Sequence, residues 1–186
     1  EEQLLAVAWP PEYGGAGLSQ MERTVLAEEL AAVGVPNGTD NDYYSIGMIG
    51  QTIIEWGTDE QKSEVIGSVI SGEMHLALAY AEPQSRFNLS DVVTEAKADG
   101  ENFIINGFKS VVMNGPSANK FIISARTSGK QLDKKGISLF LLDSDLAGLT
   151  KTDYKTVDGR KASDLNLENV SIPTESLIGS LDEGFN

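Results

Sequence analysis

The chain has 186 residues, a formal net charge of −14 and no cysteine. Hydrophobic residues make up 40% and charged residues 23%, which is typical of a globular protein rather than a disordered one. The acidic balance argues against nucleic-acid binding, which needs clustered Lys and Arg. The absence of cysteine excludes disulfides and cysteine-ligated metals, and no apolar run reaches the roughly 20 residues of a membrane-spanning helix. These features predict a cytoplasmic protein.

The negative charge is unevenly distributed along the sequence. Residues 1–74 carry 13 acidic and 2 basic side chains, whereas residues 75–186 carry 15 acidic and 12 basic ones. An anionic ligand would therefore prefer the second region or a separate partner domain. Solvated acidic helices are the simpler explanation for the charge of the first region.

The first region has the pattern of helices. Ser19–Glu22 and Thr58–Gln61 each have the form of a capping box, in which two side chains satisfy free backbone N–H groups. A further helix is predicted from about Ser45 to Trp56. Glycines 34, 57 and 72, with Pro36, predict the helix ends. Apolar residues recur at helical spacing after the first box, at Met21, Val25, Leu26, Leu30 and Val33.

From about His75 the hydrophobic period changes to that of strands, and Asp99-Gly100 predicts a hairpin turn. Short strands with turn signals between them indicate an antiparallel barrel or sandwich. We therefore predict an α+β protein, with a helical domain in residues 1–74 and an antiparallel β-barrel domain in residues 75–186. The predicted strands are 75–80, 92–98, 103–106, 109–113, 121–126, 137–142, 151–154, 164–167 and 170–172.

The residue types alone offer little catalysis. His75 is the single histidine, so no second imidazole is present for a metal site or a proton relay. Glu28 and Glu29 are adjacent, so they point to different sides of a helix. Gly14–Gly17 lacks the lysine and the preceding strand of a phosphate loop. On this basis the sequence describes only a helical domain joined to a β-domain.

Short motifs in a fixed order carry the argument further. They are WPPEYGGAGL at 9–18, GTDEQK at 57–62, AEP at 81–83, NGFK at 106–109 and NG at 114–115. In order and spacing they resemble the acyl-CoA dehydrogenase family along essentially the whole chain. The variant string Tyr80–Arg86, together with Lys109–Val112, resembles a bacterial subgroup described as pimeloyl-CoA dehydrogenase small subunits.

The resemblance implies a fold and an activity. The family has a helical N-terminal domain, a β-barrel middle domain and a C-terminal four-helix bundle, so this chain is expected to stop before the bundle. The implied reaction is FAD-dependent dehydrogenation of an acyl-CoA thioester to the 2-enoyl-CoA, with electron-transfer flavoprotein as acceptor. The catalytic base, usually a glutamate, lies in the bundle. We therefore expect no catalytic residue here, a homo- or hetero-oligomer, and no activity or tightly bound FAD in this chain alone.

The resemblance also assigns site residues. The flavin side is expected at Leu78, Tyr80, Ala81, Val111 and Met113, and the CoA side at Arg86 and Phe87. Five of these depart from the family pattern: Ala81 and Met113 replace a threonine or serine, Val111 a tryptophan, Phe87 a serine and Arg86 a glycine.

These departures keep other functions open. Backbone donors at Tyr80, Ala81 and Met113 can still serve the flavin, because a main-chain N–H does not depend on the side chain. We expect Arg86 to bind an anionic ligand or a partner, although a surface arginine in a solvated turn is an equal alternative. A non-catalytic assembly subunit with a degenerate flavin site is the second hypothesis. A small β-barrel ligand-binding module with a helical cap is the third.

Overall fold

The computed structural model describes residues 6–35 and 44–185. The chain separates into two compact units, Glu1–His75 and Leu76–Asn186. The first unit contains helices α1 (Gln20–Ala32), α2 (Gly50–Trp56) and α3 (Asp59–Ile70), with a short 3-10 helix at Pro11–Tyr13. No helix within the described ranges is long and apolar enough to cross a membrane.

Both predicted capping boxes are confirmed. The Ser19 N–H donates to Glu22 Oε2 at 2.8 Å, and the Glu22 N–H donates to Ser19 Oγ at 3.4 Å. The same exchange joins Thr58 and Gln61, at 3.1 and 3.3 Å. Gly34 and Gly72 follow α1 and α3 with positive φ angles, as the predicted helix ends require, whereas Pro36 lies outside the described residues.

The helix predicted from Ser45 to Trp56 has a different form in its first half. Residues Tyr44–Ile49 form a π-helix that leads directly into α2. The Trp9 indole N–H donates to the Ile46 carbonyl at 3.1 Å, and a Cβ on Gly50 would lie 2.3 Å from the Trp9 ring. The Trp9 indole thus packs directly against the π-helical turn and Gly50.

The two capped helices differ in burial. Helix α3 buries Val65, Ile66, Val69 and Ile70, together with Gln61. In the described part of the chain α1 has no buried residue, and Met21 is 73% exposed. The apolar stripe predicted on α1 therefore covers no core in this structure.

The second unit is a mixed sheet, which confirms the predicted change from helices to strands. The strands are β1 (Leu76–Ala79), β2 (Glu95–Asp99), β3 (Asn102–Met113), β4 (Lys120–Arg126), β5 (Ile137–Asp143), β6 (Leu149–Lys155), β7 (Lys161–Pro173) and β8 (Leu177–Ile178). Their hydrogen-bonded order is β6-β7-β3-β2-β4-β5-β8, with β1 paired parallel to β4. The predicted barrel thus takes the form of a mostly antiparallel sheet whose described pairings leave β6 and β8 at the two ends.

Two of the predicted strand divisions are wrong. The segments 103–106 and 109–113 belong to one strand, β3, and the segments 164–167 and 170–172 belong to β7. The β3–β7 pairing shifts between Ile105 and Gly107, and again between Lys109 and Val112. Each shift is a bulge, where one strand has an additional residue, so the alternation of apolar residues breaks there.

Candidate functional site

A tight turn follows β1. The Ser85 N–H and hydroxyl both donate to the Glu82 carbonyl, at 3.0 and 2.9 Å, and the Glu82 N–H donates to Ser85 Oγ at 3.1 Å. Arg86 comes next with a φ of 49°, and Phe87 is 99% exposed. The two residues predicted to face CoA therefore lie at the surface, on a turn whose base is fixed.

The Glu82 carboxylate holds this turn from inside the protein. Its Oε2 accepts the Val93 N–H at 2.8 Å, and its Oε1 accepts the Thr94 N–H at 3.1 Å. Gln84 Nε2 donates to Oε2 at 2.8 Å, and Lys109 Nζ donates to Oε1 at 2.7 Å. One buried carboxylate thus joins both ends of the loop to strand β3.

Lys109 and Glu82 form a buried ion pair, with side chains 0% and 2% exposed. Lys109 Nζ also donates to Ser124 Oγ at 3.1 Å. Burial lowers the pKa of Lys109, and the Glu82 charge opposes that effect. Burial alone would raise the pKa of Glu82, but the Lys109 ammonium and the hydrogen bonds hold it below its ordinary value. The pair is thus an internal anchor for β3 and the loop.

The second bulge places Val111 at the surface. Its φ is 53°, and its N–H donates to Asp164 Oδ1 on β7 at 3.0 Å. The Tyr154 hydroxyl on β6 donates to the same oxygen at 2.8 Å. Burial, with the adjacent Asp164 carboxylate, raises the pKa of Tyr154. Two donors from different strands therefore meet on one carboxylate oxygen.

One hydrogen bond connects the turn to the bulge. The Ser110 N–H donates to the Ala81 carbonyl at 2.9 Å. Tyr80 and Val111, on either side of this bond, are 47% and 50% exposed. Three of the residues predicted for the flavin side, Tyr80, Ala81 and Val111, thus lie on neighbouring segments. We call this group the apolar wall.

The other two residues of that prediction are more enclosed. Leu78 is half-buried in β1, where it pairs with Ile122. Met113 is half-buried at the end of β3, opposite Ala162. Each lies two residues along the chain from a member of the apolar wall. Their assignment to the flavin side stays a prediction.

A guanidinium fixes a neighbouring pair of loops. Arg126 Nη1 donates to the carbonyls of Asp133 and Lys135, at 2.9 and 3.1 Å. Its Nη2 donates to the carbonyls of Ser90 and Gln131, at 3.0 and 2.7 Å. Ser90 belongs to the loop that carries Arg86, whereas the other three carbonyls belong to the β4–β5 connection. Arg126 therefore holds the loop of the site against a second loop.

Comparison with known proteins identifies the relatives of this architecture. Residues 77–170 match the family model described as acyl-CoA dehydrogenase, middle domain. Residues 1–73 match the model of the N-terminal domain of the same family. The chain belongs to the acyl-CoA dehydrogenase family.

Individual proteins match nearly all of the chain. Acyl-CoA dehydrogenase FadE26 of Mycobacterium tuberculosis is 29% identical over 97% of this chain and 45% of its own length. The 3-(aryl)acrylate reductase of Clostridium sporogenes is 32% identical over 98% of this chain and 48% of its own length. The solved ChsE4-ChsE5 complex from Mycobacterium tuberculosis gives a TM-score of 0.87 at 29% identity, covering 97% of this chain and 46% of that one. The chain thus spans about half the length of the relatives it matches.

Sequence reasoning missed several residues that shape this candidate site. Asp164 and Tyr154 were placed in predicted strands without a role, and Arg126 only ended a strand. Asp164 lies 53 residues from the N–H that it accepts, so no local pattern marks the contact. Among the described residues, no group of three or more His, Asp or Glu side chains is arranged to hold a metal.

Proposed function

We propose that this chain forms one wall of the flavin site in an FAD-dependent acyl-CoA dehydrogenase. The complete protein would convert an acyl-CoA thioester to the 2-enoyl-CoA and pass the electrons to an electron-transfer flavoprotein. Family membership supports the reaction class. The observation that carries the site is the Ser110–Ala81 hydrogen bond, which brings the two segments of the apolar wall together.

The chemistry of the apolar wall suits a flavin. An isoalloxazine ring has an apolar face and a polar edge, and pockets for such groups combine apolar side chains with a few fixed polar groups. Tyr80 and Val111 offer the apolar surface, on main chain that is held from both sides. When bound, FAD supplies the acceptor for the hydride that leaves the β-carbon of the thioester.

The residues of this chain position ligands rather than move the α-proton. The two carboxylates beside the apolar wall in the described structure are Glu82 and Asp164, and each already accepts at least two hydrogen bonds. Glu82 is also buried against Lys109. A base beyond these residues is therefore needed to remove the α-proton, and we assign that role to the part of the protein outside this chain.

Arg86 is our candidate for the anionic part of the substrate. It is exposed on the turn beside Phe87, where a guanidinium can bind a CoA phosphate or a distal carboxylate with two parallel hydrogen bonds. In the complete protein, Arg86→Ala should weaken acyl-CoA binding roughly tenfold to a hundredfold, because a charge-assisted hydrogen bond contributes ~1.5–3 kcal/mol. Lys97→Ala is the control, since Lys97 is also an exposed cation, and its ammonium pairs with Glu95. Unchanged affinity and unchanged partner association in Arg86→Ala would reduce Arg86 to a surface residue.

An assembly subunit without its own flavin is the second candidate. It is favoured by four residues that lack the polar or aromatic groups expected from the family resemblance. They are Ala81, Phe87, Val111 and Met113. The similarity to a solved two-component complex agrees with a heteromer. Under this hypothesis the partner subunit would bind the flavin and carry out the reaction.

Flavin content separates the two candidates. The complete protein should be purified alone and with its co-encoded partner, and its visible absorbance and acyl-CoA turnover measured with an electron-acceptor dye. Flavin in stoichiometric amount on this subunit, with turnover, supports the dehydrogenase. Flavin bound only by the partner, with turnover unaffected by Val111→Asp, would support the assembly subunit and overturn the first proposal.

A further inference from the structure

Strands β3 and β7 contain two bulges with the same construction. In the first, Asn169 has a φ of 52°, and its N–H donates to Asn106 Oδ1 at 2.8 Å. In the second, Val111 has a φ of 53°, and its N–H donates to Asp164 Oδ1 at 3.0 Å. In each case a side-chain oxygen on the opposite strand holds the N–H of a left-handed residue.

The residue types at the two bulges are not equivalent. Asparagine adopts the left-handed region readily, whereas a β-branched residue there is a genuine outlier. Strain of this kind persists only where the surroundings enforce it, and it is concentrated at functional sites. Glycine would adopt this conformation without strain. The presence of valine instead indicates that the side chain itself has a role at the surface.

The support at Val111 also differs in kind from that at Asn169. The acceptor at Val111 is a charged carboxylate, at 3.0 Å, whereas the acceptor at Asn169 is the neutral amide oxygen of Asn106, at 2.8 Å. Tyr154 donates to the same Asp164 oxygen at 2.8 Å and so fixes its direction. Because Val111 is half-exposed, water alone could satisfy its N–H. A charged acceptor with a fixed direction is therefore more than the Val111 N–H needs for a hydrogen bond.

We propose that Asp164 and Tyr154 are positioning residues, which hold the main chain at Val111 in its left-handed form. They thereby keep the Val111 side chain at the surface, beside Tyr80 and Ala81, where it forms part of the ligand-binding face. The identity of the ligand as a flavin rests on the function proposed above. The geometric role of the pair does not depend on it.

The test uses the complete protein with its partner and four variants. Asp164→Ala removes the acceptor, Asp164→Asn keeps an oxygen of the same size, and Tyr154→Phe removes only the orienting donor. Asp153→Ala is the matched control. Asp153 lies on β6, next to Tyr154, and accepts a hydrogen bond from Ser163 Oγ at 2.6 Å rather than from the Val111 N–H.

Two readouts are needed, and one of them requires no flavin. Amide hydrogen exchange at Val111 should accelerate about tenfold in Asp164→Ala, in line with the loss of a hydrogen bond to a charged acceptor. FAD affinity should fall about tenfold, and the flavin absorption band should shift. Asp164→Asn should keep most of the parent protein's slow exchange and FAD affinity. Tyr154→Phe should change both quantities less than Asp164→Ala does. Asp153→Ala should leave both within about twofold of the parent protein.

Two outcomes would overturn the proposal. One is an Asp164→Ala protein that is folded and retains both the exchange rate at Val111 and the flavin spectrum. The other is an equal effect of Asp153→Ala, which would indicate a general loss of structure. If Asp164→Ala does not fold, the Asp164→Asn and Tyr154→Phe proteins decide by the same two readouts. If the parent protein and its partner bind no FAD, the proposed function fails, while hydrogen exchange still tests the role of Asp164.

Discussion

Strand β3 is held by two carboxylates in very different surroundings. Glu82 meets Lys109 inside the sheet unit, with both side chains buried, while Asp164 meets the N–H of Val111 near the surface. The contacts are separated by a single residue, Ser110. Their difference shows that the same functional group can anchor a fold at one position and shape a surface at the next. The degree of burial decides between these roles, because an unpaired charge is far more costly in a dry environment.

Breaking the buried pair should have the largest effect. Glu82→Gln leaves the Lys109 ammonium without its counterion and is expected to cost about 3–5 kcal/mol of unfolding free energy. Denaturant unfolding at neutral pH would measure the loss. Lys109→Met should cost less than Glu82→Leu, since Glu82 also accepts the Val93 and Thr94 N–H groups and those would be left unsatisfied. Equal costs would contradict this explanation.

Acid should weaken the same anchor. The pKa of Glu82 lies below its ordinary value of 4.5 in the folded protein. The stabilisation from its charge is therefore complete above that value and is lost as the pH falls below it towards the folded pKa. Unfolding curves between pH 7 and pH 3 should show less pH dependence in Glu82→Gln than in the parent protein. Parallel curves would show that Glu82 does not contribute to acid unfolding.

Replacing Val111 at the second bulge should change stability less, and should increase it. Val111→Gly removes the strain of a branched residue in the left-handed region, offset by the greater freedom of glycine in the unfolded chain, for a net stabilisation of about 0.5–1 kcal/mol. Asn169→Gly should change stability by less than about 0.5 kcal/mol, because asparagine already tolerates that conformation. Thermal unfolding of the two variants would compare them directly. A destabilised Val111→Gly would mean that the side chain packs more tightly than its exposure indicates.

Breaking an exposed ion pair should change the unfolding free energy least. Lys97 Nζ lies 2.6 Å from Glu95 Oε2, with both side chains mostly in solvent. Glu95→Gln should therefore change the unfolding free energy by less than about 1 kcal/mol, and the effect should disappear in high salt. Chemical unfolding at two salt concentrations would test this. A loss of unfolding free energy as large as that of Glu82→Gln would show that burial does not decide how much a carboxylate contributes.

Local signals in the sequence predicted much of the fold. The capping boxes at Ser19 and Thr58 join residues three positions apart, so the hydrogen bonds could be read from spacing alone. The change from helices to strands was also predicted from the hydrophobic period, and the first strand begins at Leu76. The bulges were not predicted, because a single additional residue breaks the alternation and resembles a loop. Strands β3 and β7 were therefore each divided in two.

The candidate site depends on distant contacts and was less predictable. Glu82 meets Lys109 across 27 residues, and Asp164 meets Val111 across 53. The nearness of Tyr80, Ala81 and Val111 was expected only because the motifs resemble those of a known family. The π-helical turn at Tyr44–Ile49 also escaped prediction, and its contact with the Trp9 indole joins residues 37 positions apart.

The four carbonyls held by Arg126 constrain how this family member can vary. A main-chain oxygen is present whatever residue occupies the position, so both loops can change their side chains without losing the guanidinium. A change in loop length is different, because an insertion or deletion would move an oxygen out of reach. The loop that carries Arg86 and Phe87 can therefore change its side chains freely. Its length is tied to that of the β4–β5 connection, so relatives that alter one loop by a residue should carry a compensating change in the other, or a different residue at position 126.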